Sequence, residues 1–329
     1  MNLGQVLCLT NLANLNKLRC FLAAQRTEIN YLESVNLAMD YVVRNLDRDV
    51  KLEQVAEAAG FSPFHFHRVF RSLLGETLNE FVKRLRLERA VYWMAHSPNL
   101  SLTEISLRCG FSSSSDFSRS FKSRYGISPS AFQVDSFRES KRQEFEAAMA
   151  SRENGPKFTG LPAGENPDGF QVSIRELPAR TVAYVRALDP YRTTAVLDSC
   201  QELLRWAEQR NLADGQWLGY MWEDPEIVAV QHCRYDVAVV VDPSRFDRLP
   251  EGVVGRWDFP PLRVAEVTLR GDIHLEMRAW DWLFKTWLPN SKFVPDDQPS
   301  FEAWHGRPFA HGHEYFELNC QLPVRPAVR

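Results

Sequence analysis

A sequence pattern that occurs twice between Leu52 and Phe132 constrains the fold more than any other feature of the chain. The first copy starts at Leu52 and reads Leu-Glu-Gln-Val-Ala-Glu-Ala-Ala-Gly-Phe-Ser; the second starts at Leu102 and reads Leu-Thr-Glu-Ile-Ser-Leu-Arg-Cys-Gly-Phe-Ser. Each copy continues with a pair of phenylalanines, a glycine and another phenylalanine. This stretch is therefore expected to fold as two similar units.

Each unit has the layout of a helix-turn-helix. Leu52, Val55 and Ala56 recur at helical spacing, which predicts a short first helix with one apolar face. Gly60 and Gly110 stand where that helix must end, because glycine tolerates the left-handed backbone of a helix stop. Two amphipathic helix pairs would also suit an all-helical bundle. A bundle, however, requires neither the repeated Gly-Phe-Ser turn nor a basic second helix in each unit.

The second helix of each unit is predicted to have a buried face and an outward face. Ser62 and Ser112 are in position to cap its N-terminus. The buried face carries the phenylalanine pairs Phe66 and Phe70, and Phe117 and Phe121. Outward polar and basic side chains on such a helix are what reading the DNA major groove requires. The candidate DNA contacts are His65, His67, Arg68, Arg71, Ser114, Ser115, Asp116, Ser118, Arg119 and Lys122.

Residues 31–133 resemble the DNA-binding domain of the AraC/XylS family of transcription regulators. The resemblance is carried by the segment Gly-Phe-Ser-Ser-Ser-Ser-Asp-Phe-Ser-Arg-Ser-Phe-Lys from Gly110 and by Gly126-Ile-Ser-Pro. It implies an all-α domain of two helix-turn-helix units joined by a long helix, here residues 78–97. It also implies promoter DNA and RNA polymerase as partners, and mostly activation of transcription. His65-Phe-His67 in the first unit departs from the family pattern.

Composition excludes several other classes of protein. A chain of 329 residues can form two domains with cores of their own. No apolar run approaches the roughly 18 residues of a membrane helix, so no membrane partner is expected. The six cysteines form no Cys-x-x-Cys pair, so neither a zinc site nor a disulfide framework is expected. Without a glycine-rich phosphate loop, no nucleotide or other cofactor is predicted, and a reduced, cytoplasmic location is the expectation.

The two parts of the chain differ in charge. Residues 31–133 hold 13 Lys and Arg against 11 Asp and Glu, a net charge of +2. Residues 156–329 hold 19 against 25, a net charge of −6. This division favours DNA as the partner of the first part and a different ligand for the second.

The remaining sequence predicts three further segments. Residues 1–30 form an extension to which we assign no role, and residues 134–168 are interpreted as a linker whose charged first part is helical and whose Gly- and Pro-rich second part is flexible. Strand patterns begin in the segment 169–329, and a strand-helix-strand order occurs twice there. We therefore predict an α+β domain of two β-α-β-β halves related by a pseudo-two-fold axis, with a groove at its centre.

Residues 170–325 resemble the GyrI-like effector-binding domain. The matching motifs include Val-Ala-Tyr-Val-Arg from Val182, Cys-Arg-Tyr-Asp from Cys233 and Trp-Leu-Pro from Trp287. The chain departs from the family at Asp189-Pro-Tyr and at Pro260-Pro-Leu, where the family has Gly-Pro-Tyr and Pro-Gly-Gly. The resemblance implies a pocket for bulky apolar molecules, often cations.

The predicted effector site combines one carboxylate with aromatic rings. Glu302 stands between Phe301 and Trp304, at the position that matches the pocket carboxylate of the family. A carboxylate that faces aromatic rings attracts a cation through its charge and through the ring quadrupole. The predicted effector-binding residues are Glu302, Tyr184, Tyr220, Trp222, Trp257, Trp282, Phe301 and Trp304. Most of the aromatic residues are equally compatible with a role in the core.

Other functions of the second domain stay open at this point. Glu302 among aromatic rings could act as the general base of a hydrolase, as in some stand-alone relatives of the domain. The domain could instead sequester a protein. His305, His311 and His313 lie close together, but in a Gly- and Pro-rich loop that more often leaves histidines exposed than bound to a metal.

Overall fold

The computed structural model describes residues 31–97, 99–151, 160–245, 252–312 and 314–327. The predicted extension, residues 1–30, lies outside the described residues. The N-terminal part is entirely helical, with helices α1 (residues 31–44), α2 (Leu52–Ala58), α3 (Pro63–Leu74), α4 (Leu78–His96), α5 (Leu102–Arg108) and α6 (Ser114–Tyr125). None of the described helices is long and apolar enough to cross a membrane.

The two predicted helix-turn-helix units are confirmed as α2–α3 and α5–α6. Gly60 and Gly110 adopt the left-handed backbone at the two turns, with φ of 72° and 80°. Gly110 also has no room for a side chain, because a Cβ there would overlap the backbone oxygen of Leu46.

The predicted caps differ in both units. Ser62 is at the N-cap of α3, but its side chain accepts no capping hydrogen bond. Helix α6 is capped by the hydroxyl of Ser113, which accepts from the Asp116 N–H, and not by Ser112. The second unit has one more residue than the first between the serine of its Gly-Phe-Ser turn and its phenylalanine pair, which accounts for the shift to Ser113.

Helix α4 serves the cores of both units. Its first half places Phe81 and Leu85 in the core of the first unit, and its second half places Val91 and Trp93 in the core of the second. Both units therefore pack on one continuous helix, and this helix holds them at a fixed separation. The start of α4 is fixed by a capping box in which Thr77 and Glu80 satisfy each other's backbone N–H groups.

The segment interpreted as a linker is partly built into the structure. Its first part forms helix α7 (Val134–Ala150), as expected from the charged sequence. The part that was predicted to be flexible is packed from Gly160 onward, because Leu161 and Phe170 are buried in the core of the second domain. The N–H of Leu161 donates to Asp281 at 3.0 Å. Buried apolar side chains and a satisfied backbone thus outweigh the flexible Gly- and Pro-rich composition here.

The C-terminal part is a twisted antiparallel sheet with helices on one face. Its strands are β1 (Ser173–Leu177), β2 (Arg180–Leu188), β3 (Trp217–Met221), β4 (Arg234–Val241), β5 (Val254–Phe259), β6 (Leu262–Gly271), β7 (Phe293–Pro295), β8 (Ser300–Trp304) and β9 (Phe316–Pro326). Helices α8 (Ala195–Glu208) and α9 (Ile273–Trp282) follow β2 and β6, and α9 continues into a π-helical turn, Leu283–Trp287.

The sheet joins the two predicted halves through its central strands. The strand order is β1-β6-β9-β8-β3-β4-β2-β5, with β7 added on β9. The first half, β2-α8-β3-β4, therefore meets the second half, β6-α9-β8-β9, where β3 pairs with β8. In this register Gly219 lies opposite Glu302, and Glu302 lies opposite Cys320 on the other side. Glu302 thus sits at the centre of the sheet.

The two faces of the sheet have different partners. One face packs against α8 and α9 and forms the larger core. The other face carries Tyr184, Tyr220 and Phe301 in a second core, to which Val43 of the N-terminal part also contributes. The guanidinium of Arg44 lies 4.1 Å from the ring centre of Trp257. Helix α1 of the DNA-binding part therefore packs against this second face of the sheet.

Candidate effector site and nucleic-acid interface

The second helices of both units present most of the predicted DNA contacts to solvent. In α3 the side chains of Arg68 and Arg71 are exposed. In α6 the exposed residues are Ser114, Ser115, Ser118, Arg119 and Lys122. The side of each helix opposite these residues buries its phenylalanine pair. The outward face of α6 is the more strongly polar of the two.

Three of the predicted base-reading residues are partly buried. His65 packs its ring against Tyr31 and Phe61, with ring centres 5.8 and 4.8 Å away. The carboxylate of Asp116 accepts from the Ser112 hydroxyl at 3.3 Å. His67 is half-buried. These contacts hold His65 and Asp116 in place, and both side chains keep part of their surface free.

The carboxylate of Glu302 lies on the face of the sheet that α8 and α9 cover. It accepts two hydrogen bonds from side chains, one on β4 and one on its own strand. The Tyr235 hydroxyl on β4 donates at 2.7 Å, and the Trp304 indole N–H donates at 3.1 Å. Gly219 makes this arrangement possible, because a Cβ at that position would overlap the Tyr235 hydroxyl. Tyr235 and Glu302 thus meet above a strand position that only glycine can occupy without displacing the tyrosine.

A second carboxyl group, which the sequence analysis did not identify, faces Glu302. Glu276 on α9 is buried and lines the same cavity as Glu302, and the charge of Glu302 contributes to the rise of its pKa. A signal was present in the sequence, because Glu276, Ala279 and Leu283 share the spacing of one buried helix face. A carboxylate on such an apolar stripe is costly unless it is neutral or paired.

Burial raises the pKa of both carboxyl groups. Loss of solvent raises the pKa of Glu276 well above its ordinary value of 4.5, and the nearby Glu302 raises it further. Burial also raises the pKa of Glu302, but the hydrogen bonds from Tyr235 and Trp304 act in the opposite direction. These two donors favour the ionised form of Glu302.

A cavity of about 1930 Å³ reaches this pair and continues into the cleft between the two parts of the chain. Around the pair it is lined by Tyr191, Leu197, Met277, Trp280, Trp304 and Phe316. Its volume exceeds the roughly 300–1,000 Å³ of an ordinary ligand pocket because the interdomain cleft is continuous with it. Apolar and aromatic side chains line the cavity together with Glu302 and Glu276.

The structure divides the eight predicted effector-site residues between the two faces of the sheet. Glu302 and Trp304 lie together at the cavity. Trp282 lies on the same face but packs into the core against Phe170, with ring centres 5.8 Å apart. The other five, Tyr184, Tyr220, Trp222, Trp257 and Phe301, lie on or beside the opposite face. Of these, Trp222 and Trp257 also line the cavity. Because residues alternate along a strand, Phe301 and Glu302 cannot face the same ligand.

The aromatic residues of the second face have partners of their own. Tyr220 stacks on Phe259 with ring centres 4.4 Å apart. The indole N–H of Trp222 donates to Asp236 at 2.6 Å, and Tyr184 donates to Asp40 of α1 at 2.7 Å. Tyr184 and Trp257 thus contact the DNA-binding part, through Asp40 and Arg44. Tyr184, Tyr220 and Phe301 are fixed in the second core, on the face opposite Glu302, and do not form one aromatic box with it.

The histidines near the C-terminus do not converge where they are described. The ring of His305 is hydrogen-bonded to Asn319 at 3.1 Å, and that of His311 packs against Tyr315. His313 lies outside the described residues. Within the described ranges, no group of His, Cys, Asp or Glu has the arrangement of a metal site.

Comparison with known proteins identifies both parts of the chain. A family model described as a helix-turn-helix domain matches residues 55–134, and a model described as a GyrI-like small molecule binding domain matches residues 170–325. The chain is 32% identical over 94 residues to the HTH-type transcriptional activator AarP of Providencia stuartii, which is 29% of this chain and 69% of AarP. It is 32% identical over 100 residues to the probable transcription factor PqrA of Proteus vulgaris, which is 30% of this chain and 81% of PqrA.

The second domain has its own relatives. The DNA gyrase inhibitor of Serratia proteamaculans is 29% identical over 162 residues, which is 47% of this chain and 97% of that protein. Among solved structures, an AraC-type DNA-binding regulator from Chromobacterium violaceum shares 27% identity over 30% of this chain and 86% of that one, with a TM-score of 0.28. The chain therefore belongs to the AraC family of transcription regulators and carries a GyrI-like small-molecule binding domain after its DNA-binding domain.

Proposed function

We propose that this regulator is a transcription activator controlled by an apolar organic cation that binds at Glu302. The observation that carries the proposal is a buried carboxyl group at a cavity, with only neutral hydrogen-bond donors from the described residues. In the part of the chain that the structure describes, no lysine or arginine forms an ion pair with Glu302 or Glu276. Isolated buried charges are strongly unfavourable in proteins, so a ligand cation is the natural partner of this one.

Other buried carboxylates of the same domain are paired. Asp236 accepts from Arg186 at 2.8 and 2.7 Å. Asp281 accepts from Arg142 at 2.7 Å. Glu302 differs from these acids in having only neutral donors around it and a cavity in front of it. Aromatic walls strengthen the attraction, since a ring face favours a cation by about 0.5–2 kcal/mol.

The proposed route from the effector cavity to the DNA-binding domain is helix α7. At its C-terminal end, Phe145 packs against Tyr191 of the cavity wall with ring centres 4.9 Å apart. In its middle, Arg142 binds Asp281, which lies on the same helix as Glu276. At its N-terminal end, Phe137 packs edge-on against Tyr125, the last residue of α6. A displacement of α9 by a ligand would therefore move a helix that contacts the DNA-reading unit.

In this proposal the exposed residues of α3 and α6 contact promoter DNA. Arg68, Arg71, Arg119 and Lys122 supply the main phosphate or base contacts, and the exposed serines of α6 read base edges. RNA polymerase is the second macromolecular partner, because an activator must act on it. The name of the relative AarP, a transcriptional activator, supports activation over repression.

Sequestration of a protein is the second candidate function of the C-terminal domain. The similarity to a DNA gyrase inhibitor along nearly all of that protein favours it. A hydrolase is less favoured, because Tyr235 and Trp304 both donate to Oε2 of Glu302, which stabilises the ionised carboxylate and makes it a weaker base.

A thermal-shift experiment on the full chain separates these functions. Tetraphenylphosphonium and tetraphenylborate have the same shape and opposite charges, so they isolate the contribution of charge. We expect the cation to raise the unfolding midpoint by mass action and the anion to leave it unchanged. The effect of the cation should be lost in Glu302→Gln and retained in Glu165→Gln, an exposed control. Equal responses to cation and anion would refute a charge-selective site, and no response to either would favour sequestration.

A further inference from the structure

We propose that the loop between β3 and β4 completes the core of the second helix-turn-helix unit and makes DNA reading by α6 depend on the effector domain. This loop, residues 222–233, is called the docking loop below. The inference goes beyond the proposed function, because it holds whichever ligand the cavity binds.

The cores of the two helix-turn-helix units differ in origin. The buried residues in the core of the first unit all lie between Val35 and Leu85, within the DNA-binding part. The core of the second unit also contains Ile227, Val228 and Cys233 of the effector domain. Ile227 and Val228 are each 3% exposed, and Cys233 is 1% exposed. The second unit therefore has a complete apolar core only when the docking loop is in place.

The docking loop shares this core with the residues that position α6. Phe117 and Phe121, the buried face of α6, belong to it, and so does Trp93 of α4. Helix α6 has 12 residues, and a helix of this length is marginal in water without packing of its apolar face. The position and order of α6 thus depend on the full set of apolar contacts in this core.

Asp224 fixes the turn that presents the two apolar side chains. Its backbone oxygen accepts from the N–H groups of Ile227 and Val228 at 2.9 and 2.8 Å. Its carboxylate accepts from the N–H of Glu226 at 2.8 Å. The docking loop therefore has a defined shape, which holds Ile227 and Val228 in the core of the other domain.

Charged side chains fasten the docking loop to two helices beside the second unit. The carboxylate of Glu226 accepts from Arg138 at 2.5 Å and from Arg142 at 2.7 Å, both on α7. The carboxylate of Asp224 lies 4.0 Å from the imidazole of His96, the last residue of α4. The loop is thus held both to the helix that joins the two units and to the helix that follows the second one.

The docking loop is also part of the wall of the effector cavity. Residues 222–228 all line this cavity. A displacement of the wall therefore moves Ile227 and Val228 relative to the phenylalanines of α6. Because packed cores change between discrete arrangements and do not deform continuously, such a displacement changes the position or the order of α6.

Hydrogen–deuterium exchange of the full chain, followed by mass spectrometry, tests the dependence of α6 on the loop. Ile227→Ala removes apolar contacts from the core of the second unit, and Ile174→Ala makes the same change at a position that is 43% exposed. We expect Ile227→Ala to speed exchange in α6 by about tenfold or more and to leave exchange in α3 unchanged. The control should exchange as the wild type does. Ile227→Val, a milder change, should speed exchange in α6 by less and serves if Ile227→Ala does not fold.

Hydroxyl-radical footprinting on a duplex selected from a random library measures the consequence for DNA reading. The wild type should protect two adjacent segments, and footprints of Arg68→Ala and Arg119→Ala assign one segment to α3 and the other to α6. Ile227→Ala should weaken protection of the α6 segment by about fivefold or more and retain that of the α3 segment.

Three results would overturn the proposal. The first is wild-type exchange in α6 of both Ile227 variants. The second is an equal loss of protection from exchange in α3 and α6, which would show general destabilisation. The third is a footprint of Ile227→Ala in which both segments stay protected. Cation binding at Glu302 is measured separately and is not affected by any of these results.

Discussion

Arg186 on β2 and Asp40 on α1 form a buried ion pair, with 3.0 Å between Nη1 and Oδ1, that joins the effector domain to the DNA-binding domain. Arg186 also holds Asp236 on β4, and Tyr184 donates to the second oxygen of Asp40. Asp236 adjoins Tyr235, which points to the opposite face of the sheet and donates to Glu302. Strand β4 is thus bonded to the effector site on one face and to the domain interface on the other.

Loss of Arg186 should destabilise the protein strongly. Arg186→Gln leaves two buried carboxylates without a counterion, and breaking a buried pair of this kind costs about 3–5 kcal/mol. Asp40→Asn should cost less, because it leaves Arg186 paired with Asp236. Urea denaturation of the full chain measures both effects, and the exposed Arg205→Gln serves as the control. Equal midpoints for Arg186→Gln and Arg205→Gln would show that the interface contact does not form.

Glu88 should make stability dependent on pH. Burial in α4 raises the pKa of Glu88 from 4.5 to about 7, with Arg84 acting against the shift. A carboxyl group whose pKa is higher in the folded state binds its proton more tightly there. Its contribution to stability is therefore fully present below pH 4.5 and is lost as the pH rises to about 7.

The matched variant for this effect is Glu88→Gln, which keeps the shape and cannot ionise. Between the two pH values, the free energy of unfolding of the wild type should fall relative to the variant by about 1.4 kcal/mol per pH unit. Above that window the difference should be constant. Urea denaturation across the pH range measures it, and parallel pH profiles would rule out an elevated pKa for Glu88.

Arg119 on α6 should contribute to DNA binding through its exposed guanidinium. Replacing Arg119 by Ala should weaken binding by about 1–3 kcal/mol and relax the base preference if it contacts a base. If it contacts a phosphate instead, binding to all duplexes should weaken alike. The slope of log affinity against log salt concentration should then fall in magnitude by about one. Fluorescence anisotropy with a duplex selected from a random library distinguishes the two cases. An affinity equal to that of Arg205→Ala, on the distant α8, would exclude Arg119 from the interface.

Gly219 should be essential to the effector site, because a side chain at this position has no room beside the Tyr235 hydroxyl. In Gly219→Ala the new methyl group overlaps the Tyr235 hydroxyl and displaces it from Glu302. Gly255→Ala is the matched control, since its methyl group would overlap the Tyr184 ring on the opposite face of the sheet. We expect the first variant to weaken cation binding by about tenfold or more and the second to affect stability far more than cation affinity. The same loss of cation affinity in both variants would point to general unfolding.

The DNA-binding domain was more predictable from the sequence than the effector site. The repeated Gly-Phe-Ser turns and phenylalanine pairs are local signals, and local spacing decides where α3 and α6 begin and which face they bury. The position of Glu302 was also predicted, because its neighbours on both sides are apolar. By contrast, the face to which each aromatic side chain points depends on strand register. The central strands β3 and β8 have only five residues each and gave no strand pattern strong enough to assign.

The place of Glu276 in the cavity was missed for a related reason. Helix α9 was predicted, but which of its residues line the cavity depends on how the helix packs over β6 and β9. The packing of residues 160–172 also depends on tertiary contacts, since Asp281 binds the Leu161 N–H from far along the chain. Such contacts leave no local pattern in the sequence.

The central claim is that a cation at Glu302 changes DNA binding, and a DNA titration with and without tetraphenylphosphonium tests it most directly. Fluorescence anisotropy on the selected duplex should show an affinity change of about fivefold or more in the wild type and none in Glu302→Gln. Arg142→Gln, which breaks the contact of α7 with Asp281, should bind the cation and lose most of the change in DNA affinity, whereas the neighbouring Lys141→Gln should behave as the wild type. A wild-type protein that binds the cation and holds DNA with the same affinity would contradict the account.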